Sequence, residues 1–500
     1  MKRLILFIST LSIVPLTASD RVIGDEVRTT SPKGVPERCV RLARMPGATY
    51  RKDDSKDEEA YTAINFYDPS VALSPKTWST SPGMVVYDIS EGPFAGAPDR
   101  FEKEAGQKGK GAGEFAKDDL ALFKCTMNRE GTSATFSTSS LLYYHFSRYF
   151  DMEVRVPVAV WRSMDKDLYL SRVAQSGLEI SGRNPAAKMN HEAWRVLVEA
   201  AGNPVTYTPT NDLFTTDRSA IHGVMLSNRG DRYGPEVNGT RQSGWGAGQN
   251  RDFQETPPFL ALRSAAPLKE AIAEGLGKGQ QDSQIVNEAA ELISPQQMAY
   301  WMREISEIVL LDFIFSQQDR VGNIDFAPYH YWIEAGEVKR KRAKEGETVE
   351  GDVPKDAIIL KRTMLNDNDA GGKVQFANFA KSTGMLEKLR HFHAGTYRQL
   401  MALDADFRSQ GLLHHYLSST FGLEDSEVRQ IVKNTSLAAG ILRESRLWGD
   451  LRFDLDPERF FLEGEVGEEV IPFNEAEEWE LLFRAAEESQ GVKEELEKQP

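Results

Sequence analysis

The 500-residue chain has only two cysteines, Cys39 and Cys125, so a dense disulfide framework is excluded. Whether the two thiols pair with each other or stay free is left open, because spacing does not reveal their geometry. Beyond the first residues, no run approaches the roughly 18 consecutive apolar residues that a membrane-spanning helix needs. No internal repeat and no linker-like low-complexity tract is present. We therefore expect a protein without an integral membrane segment.

Positive charge is also scarce. The chain has 60 Lys and Arg residues against 75 Asp and Glu residues, a formal net charge of −15. This balance argues against nucleic acid as a partner and against docking on anionic lipid, because both carry negative charge themselves.

Several familiar catalytic and metal-binding patterns are missing. The chain has no Gly-X-Ser-X-Gly motif, so nothing indicates an α/β-hydrolase nucleophile. His391 and His393 have the spacing of metal ligands, but no third ligand follows convincingly, and an exposed helical pair is the favoured interpretation. The basic run Lys339–Arg342 suits either a grip on acidic protein substrates or the solvated tip of a hairpin.

The N-terminus predicts export. Lys2 and Arg3 precede a short apolar run over residues 4–14, and small residues follow at 15–19. This is the pattern of a signal peptide over residues 1–19, which implies a secreted or periplasmic protein.

The most informative stretch is a long apolar pattern that ends in a polar loop. Ser294 and Pro295 suit the start of a helix, and apolar residues recur at helical spacing as far as Phe315. A polar loop then carries Asp319 and Asn323. A carboxylate that orients a hydroxyl and an amide oxygen that holds Mg²⁺ are needed together in phosphoryl transfer. The alternative is an ordinary polar turn after a helix.

Two further signals complete an ordered set. A flexible glycine-rich turn, which includes Gly109, Gly111 and Gly113, precedes a predicted strand over 120–127 with Lys124 at its centre. A second predicted strand, Ala357–Leu365, leads into a turn that carries Asp367 and Asp369. A kinase site needs a lysine for the phosphates and a carboxylate at a strand end for the metal.

These motifs resemble those of the secretory-pathway kinases of the Golgi casein-kinase type, a layout shared with phosphatidylinositol 3-/4-kinase-like and HipA-type kinases. The resemblance covers roughly residues 105–400 and holds at superfamily level. It implies ATP with Mg²⁺ or Mn²⁺. By residue, it implies that Lys124 binds phosphate, Asp319 is the catalytic aspartate and Asp367 is a metal ligand. Asp369, followed by Ala-Gly, is the rival for that last role.

The chain also departs from the family pattern. Val321 stands where His is usual, and Asn323 follows Asp319 by four residues instead of five, so either Asn323 or Asp325 would supply the second metal ligand. The helix glutamate that pairs with the strand lysine falls near Ser140, and Glu130 is the candidate substitute. These departures favour, as the alternative to an active kinase, a catalytically inactive kinase-like scaffold or binding protein.

We accordingly expect an α+β chain with a bilobal protein-kinase-like fold, a small β-rich N-lobe and a larger, mainly helical C-lobe. The expected segments are an extended, partly disordered leader over 20–60, the N-lobe over 61–165, the C-lobe over 166–473 and an acidic helix over 474–500. The expected activity is metal-assisted transfer of the ATP γ-phosphoryl group to a hydroxyl acceptor, with protein favoured.

Overall fold

The computed structural model describes residues 22–183, 188–227, 230–281, 293–343, 353–472 and 480–481. It has an α+β fold, in which an antiparallel sheet formed by the N-terminal part of the chain is followed by a largely helical part. The predicted signal peptide lies outside the described residues, as does the predicted C-terminal helix apart from residues 480–481. Within the described residues, no helix is both long enough and apolar enough to cross a membrane.

Seven strands form the first sheet, in the order β1-β2-β6-β7-β5-β4-β3, and every neighbouring pair is antiparallel. Their bounds are Gly24–Thr30 (β1), Pro36–Leu42 (β2), Val71–Pro75 (β3), Met84–Asp88 (β4), Asp118–Cys125 (β5), Ala159–Asp165 (β6) and Ala220–Leu226 (β7). The sheet therefore includes a strand beyond residue 165, where the sequence placed the lobe boundary.

The expected leader over 20–60 is part of this sheet. β1 and β2 form a hairpin, and β2 joins β6 through the pairs Cys39–Arg162 and Val40–Trp161. The prediction of a partly disordered leader is therefore wrong, because β2 buries Cys39, Val40 and Leu42 in the core.

The predicted strand over 120–127 is confirmed as β5. The apolar run Val154–Trp161 also predicts a strand, and Pro157 within it favours a position at the edge of a sheet. The strand there is β6, which begins only at Ala159. It lies between β2 and β7 in the interior of the sheet and not at an edge. Pro157, which suggested an edge strand, precedes β6 and does not interrupt its hydrogen bonds.

The helices lie mostly after the first sheet. Within the described residues, the α-helices span Asp54–Ala63, Pro98–Glu104, Thr138–Tyr149, Lys166–Tyr169, Gln175–Gly182, Lys188–Gly202, Pro235–Asn238, Ala247–Phe253, Pro257–Leu262, Leu268–Gln281, Pro295–Phe315, Phe379–Ser382, Ala394–Arg408, Leu412–Thr420, Asp425–Leu447 and Pro457–Glu463. Short 3₁₀ helices occupy Gly106–Phe115, Pro204–Thr206, Thr210–Asp212 and Leu386–Lys388, and a π-helical turn spans Leu170–Ala174.

The helix Pro295–Phe315, here called the central helix, begins as predicted. The side chain of Ser294 accepts a hydrogen bond from the Gln297 amide, and Pro295 occupies the first turn. Every residue from Gln297 to Phe315 is buried, so the helix is enclosed on all sides. It ends where Ser316 adopts the left-handed conformation, and this turn directs the following loop towards the candidate site.

A second sheet follows the central helix. Its strands are β8 (Asp231–Arg232), β9 (Asp325–Glu334), β10 (Glu337–Arg342) and β11 (Ile358–Met364). β9 pairs with each of the other three strands, always antiparallel. The predicted strand Ala357–Leu365 is confirmed as β11 with small shifts at its ends. The run Tyr329–Glu334, which also predicts a strand, lies within β9, and the basic run Lys339–Arg342 lies in β10.

Candidate active site

Lys124 lies in the last part of β5, and its side chain is almost completely buried. Its Nζ lies 3.1 Å from Asp367 Oδ1 and 3.2 Å from Asp369 Oδ2. Burial alone would lower the pKa of Lys124, but the two carboxylates reverse this effect and raise it. The lysine is therefore charged, and it connects the first sheet to a loop 243 residues further along the chain.

The loop of residues 366–371 follows β11, and Arg320 is one of the residues that hold it in place. The Arg320 guanidinium donates to the backbone oxygen of Asp367 at 3.0 Å and to Asn368 Oδ1 at 2.9 Å. The same guanidinium forms a buried ion pair with Asp312 of the central helix at 2.9 Å. This chain of contacts fixes the position of Asp367 relative to the central helix.

Asp319 and Asn323 lie in the loop between the central helix and β9. Asn323 Nδ2 donates to the backbone oxygen of Asp319 at 2.9 Å, which closes the short loop. Trp245, itself two-thirds exposed, forms a side-chain hydrogen bond with the Asp319 carboxylate. Burial raises the pKa of Asp319, the charges of Asp367 and Asp369 raise it further, and the Trp245 hydrogen bond partly opposes them.

Arg232 joins the Asp319–Asn323 loop to Asp367. Its guanidinium donates to Asn323 Oδ1 at 2.6 Å and lies 2.5 Å from Asp325 Oδ1 and 3.2 Å from Asp367 Oδ2. Burial would raise the pKa of Asp367, but the charges of Lys124, Lys76 and Arg232 lower it well below its ordinary value. Asp367 is therefore an anion at any physiological pH.

Sequence reasoning missed Arg232, Trp245 and also Lys76. Lys76 directly follows β3, and its amide donates to the Gly83 oxygen at 2.7 Å, which closes the β3–β4 hairpin. Its side chain is buried, and both this burial and the charge of Lys124 lower its pKa to about 8. The only available signal was a single lysine at the end of an apolar strand, which is too common a pattern to identify a site.

The glycine-rich segment, predicted as a flexible turn, forms two short 3₁₀ helices within Gly106–Phe115 that are separated by a kink at Gly109. Gly109 has a φ of 60° there, and a side chain at this position would lie 3.3 Å from the Thr77 hydroxyl in the β3–β4 loop. Gly113 lies beside Tyr87 of β4 and Asp119 of β5. Gly111 faces the stem of Lys108 within the same segment. The segment thus packs behind the hairpin that carries Lys76.

Glu130 is exposed in the turn after β5, whereas the ion pairs of Lys124 are with Asp367 and Asp369. Ser140 lies in the helix Thr138–Tyr149 and is buried, and its hydroxyl has no hydrogen-bond partner. The structure therefore does not bring Glu130 to Lys124. The helix residue expected near the lysine carries no charge.

The remaining candidates lie elsewhere. His391 is buried and its Nδ1 lies 2.7 Å from Asp454 Oδ1, while His393 caps the helix Ala394–Arg408. They are not the exposed helical pair that the sequence favoured. Cys39 and Cys125 are both buried and free. Burial raises the pKa of the Cys125 thiol to about 12.

The oxygen atoms around Arg232 belong to carboxylate and amide groups, which are ligands that Mg²⁺ and Mn²⁺ prefer. In the part of the chain that the structure describes, however, no group of three or more His, Cys, Asp or Glu side chains is arranged to hold a metal ion. The oxygens of Asp367 already face Lys124 and Arg232, and that of Asn323 faces Arg232. The chemistry of the donors fits a divalent cation, but a guanidinium stands among them.

Comparison with known proteins adds no assignment to this geometry. No protein-family profile and no curated protein matches the chain.

Proposed function

We propose that the chain is an exported, kinase-like phosphotransferase that transfers the γ-phosphoryl group of ATP to a hydroxyl acceptor, with protein the favoured acceptor. The observation that carries the proposal is the contact between Lys124 of β5 and Asp367 in the loop after β11. A strand lysine beside a carboxylate at a strand end is the pair that a kinase site uses for phosphates and their cation. We further propose that the antiparallel sheet and the helical part correspond to the two lobes of such a fold.

Each residue has a role in this proposal. Lys124 would neutralise the α- and β-phosphates, and buried Lys76 in the β3–β4 hairpin would add a second positive charge. Asp319 would accept the proton of the acceptor hydroxyl as its oxygen attacks the γ-phosphorus and ADP leaves. Its raised pKa suits this role, because a more basic carboxylate is a better proton acceptor. A Mg²⁺ or Mn²⁺ ion bound near Asp367 would offset the negative charge of the phosphates.

The first test combines binding and transfer. The purified protein should show a nucleotide-dependent rise in Tm with ATP and either metal, and it should transfer ³²P from γ-labelled ATP to proteins extracted from its native compartment. Asp319→Ala should abolish transfer while leaving the Tm without ligand nearly unchanged, and Asp450→Ala, at an exposed position, serves as the matched control. Absence of any nucleotide-dependent change in Tm with either metal would refute the proposal.

A second test separates the two candidate metal ligands. We expect Asp367→Asn to remove the metal dependence of ATP binding and Asp369→Asn to weaken it less, because Arg232 also links Asp367 to Asn323, the other predicted metal ligand. If Asp367→Asn behaves like the wild type and Asp369→Asn fails, the metal ligand is Asp369 instead.

The second candidate function is a kinase-like binding protein without catalysis. One observation favours it, namely the guanidinium of Arg232 among the predicted metal ligands. In that case partner binding should be insensitive to Lys124→Ala and Asp319→Ala, and no condition should support transfer.

A further inference from the structure

Arg232 has an unusual set of partners. One guanidinium contacts two carboxylates and one amide oxygen, those of Asp325, Asp367 and Asn323, and it also donates to the Gly322 backbone oxygen. All of its donor nitrogens are therefore used. Three of these partners are candidate metal ligands in the sequence, namely Asp367 and, as alternatives for the second ligand, Asn323 and Asp325.

Several carboxylates lie around Arg232, and a cation at this position stabilises their negative charges. Asp325 and Asp367 lie 2.5 Å and 3.2 Å from the Arg232 guanidinium. Asp367 and Asp369 lie 3.1 Å and 3.2 Å from Lys124 Nζ, so three carboxylates lie close together here. Lys124 and Lys76 offset part of this negative charge from the side of the first sheet. Carboxylates that lie together repel one another unless a positive charge stands between them. Next to β9, Arg232 provides this positive charge.

The position of Arg232 also allows its side chain to move away from these carboxylates. It lies in the two-residue strand β8, opposite Asp325 of β9, and its side chain is 43% exposed. A half-exposed arginine on a short strand can change rotamer without disturbing the core, unlike the almost fully buried Lys124.

We propose that Arg232 is the resident cation of this site: in the absence of ligand it holds Asp325, Asp367 and Asn323 together, and it competes with a divalent ion for their oxygens. This inference deepens the proposed function. It rests on that function only for the identity of the ligand that the site finally binds. It explains why oxygen donors of the right kind are present without a metal-holding arrangement. Binding of a divalent ion then requires the guanidinium to move away.

Arg241 provides a matched control. Its Nη2 donates to the same Gly322 oxygen at 2.6 Å, but it forms no ion pair with any residue that the structure describes. Its guanidinium packs against Gly322, where a side chain would fall within 1.8 Å of it. Arg241 therefore shares the location and the charge of Arg232 but not the contacts with the carboxylates.

The experiment uses Mn²⁺ alone, without nucleotide, and measures binding to the full chain by electron paramagnetic resonance of the free ion. We expect Arg232→Ala to bind one Mn²⁺ at least tenfold more tightly than the wild type. Arg232→Lys, which keeps a positive charge, should bind Mn²⁺ nearly as weakly as the wild type, and so should Arg241→Ala. Thermal unfolding of each variant in the absence of metal verifies that it is folded.

The outcomes are distinct. Tighter binding by Arg232→Ala that is lost in Arg232→Ala/Asp367→Asn would support the proposal. Equal Mn²⁺ affinity in the wild type and Arg232→Ala, or no binding by either, would overturn it. Tighter Mn²⁺ binding by both Arg232→Ala and Arg241→Ala would also overturn the proposal, because the effect would then come from the change in net charge. Because no nucleotide is present, none of these results depends on whether the protein binds ATP.

Discussion

The buried ion pair between Asp312 and Arg320 gives the sharpest prediction about stability. The two side chains are 6% and 4% exposed, and Asp312 also accepts a hydrogen bond from Tyr143 at 2.6 Å. Asp312→Asn keeps the shape but leaves the guanidinium of Arg320 buried without its countercharge. Breaking a buried pair in this way costs about 3–5 kcal/mol. Because Arg320 also holds the backbone of Asp367, we expect the loss to reach the candidate site.

The assay is equilibrium unfolding in urea, followed by circular dichroism and by tryptophan fluorescence. The control is Glu192→Gln, which removes an exposed ion pair with Arg195 and should cost no more than about 1 kcal/mol. A fall in the free energy of unfolding by Asp312→Asn that is no larger than this control would refute the reasoning. It would mean that water or a neighbouring group compensates the charge of Arg320.

Two further predictions follow from pKa values. Burial lowers the pKa of Lys76 from its ordinary value of 10.5 to about 8. Between these two pH values Lys76 is protonated in the unfolded chain and neutral in the folded protein. The free energy of unfolding should therefore rise with pH across that window. Unfolding in urea at pH 7.5 and pH 10 should show this rise, up to about 3 kcal/mol, for the wild type but not for Lys76→Met. Trp245→Phe should raise the pKa of Asp319, because it removes a hydrogen bond to the charged carboxylate. An NMR titration of the aspartate carboxyl carbons, with Asp319→Asn to assign the signal, should show a higher pKa for Asp319 in the variant, and an unchanged or lower pKa would contradict the prediction.

The central helix could be predicted from sequence because local and global preferences agree there. Ser294 and Pro295 define its start, and a continuous supply of apolar residues suits complete burial. β5, β9 and β11 were found for a related reason, since each is a run of residues suited to strands, bounded by polar turns.

β1 and β2 could not be predicted in the same way. β1 has the sequence Gly-Asp-Glu-Val-Arg-Thr-Thr and is mostly exposed, so it has no apolar face to reveal a strand. β2 places Cys39, Val40 and Leu42 in the core between charged residues. The place of this hairpin in the sheet depends on the pairing of β2 with β6, more than a hundred residues away. Such pairing leaves no periodic signal in a single sequence.

The same distinction applies to the site. Lys124, Asp319 and Asp367 belong to motifs in which neighbouring residues carry the signal, and the structure brings Lys124 to Asp367. Lys76 and Arg232 have no such motif. They belong to the site only because the β3–β4 hairpin and β8 end beside it, which is a consequence of tertiary packing.

The position of Ser140 shows how sequence and structure lead to different conclusions about activity. From sequence, a serine in place of the helix glutamate implies a lysine without a partner, which would weaken phosphate binding. In the structure, Asp369 lies 3.2 Å from Lys124 and, together with Asp367, holds its charge in place. The missing glutamate is therefore not by itself an argument for an inactive protein. The argument for an inactive protein rests instead on Arg232. The oxygens of Asp325, Asp367 and Asn323 become available to another cation only if its guanidinium is displaced.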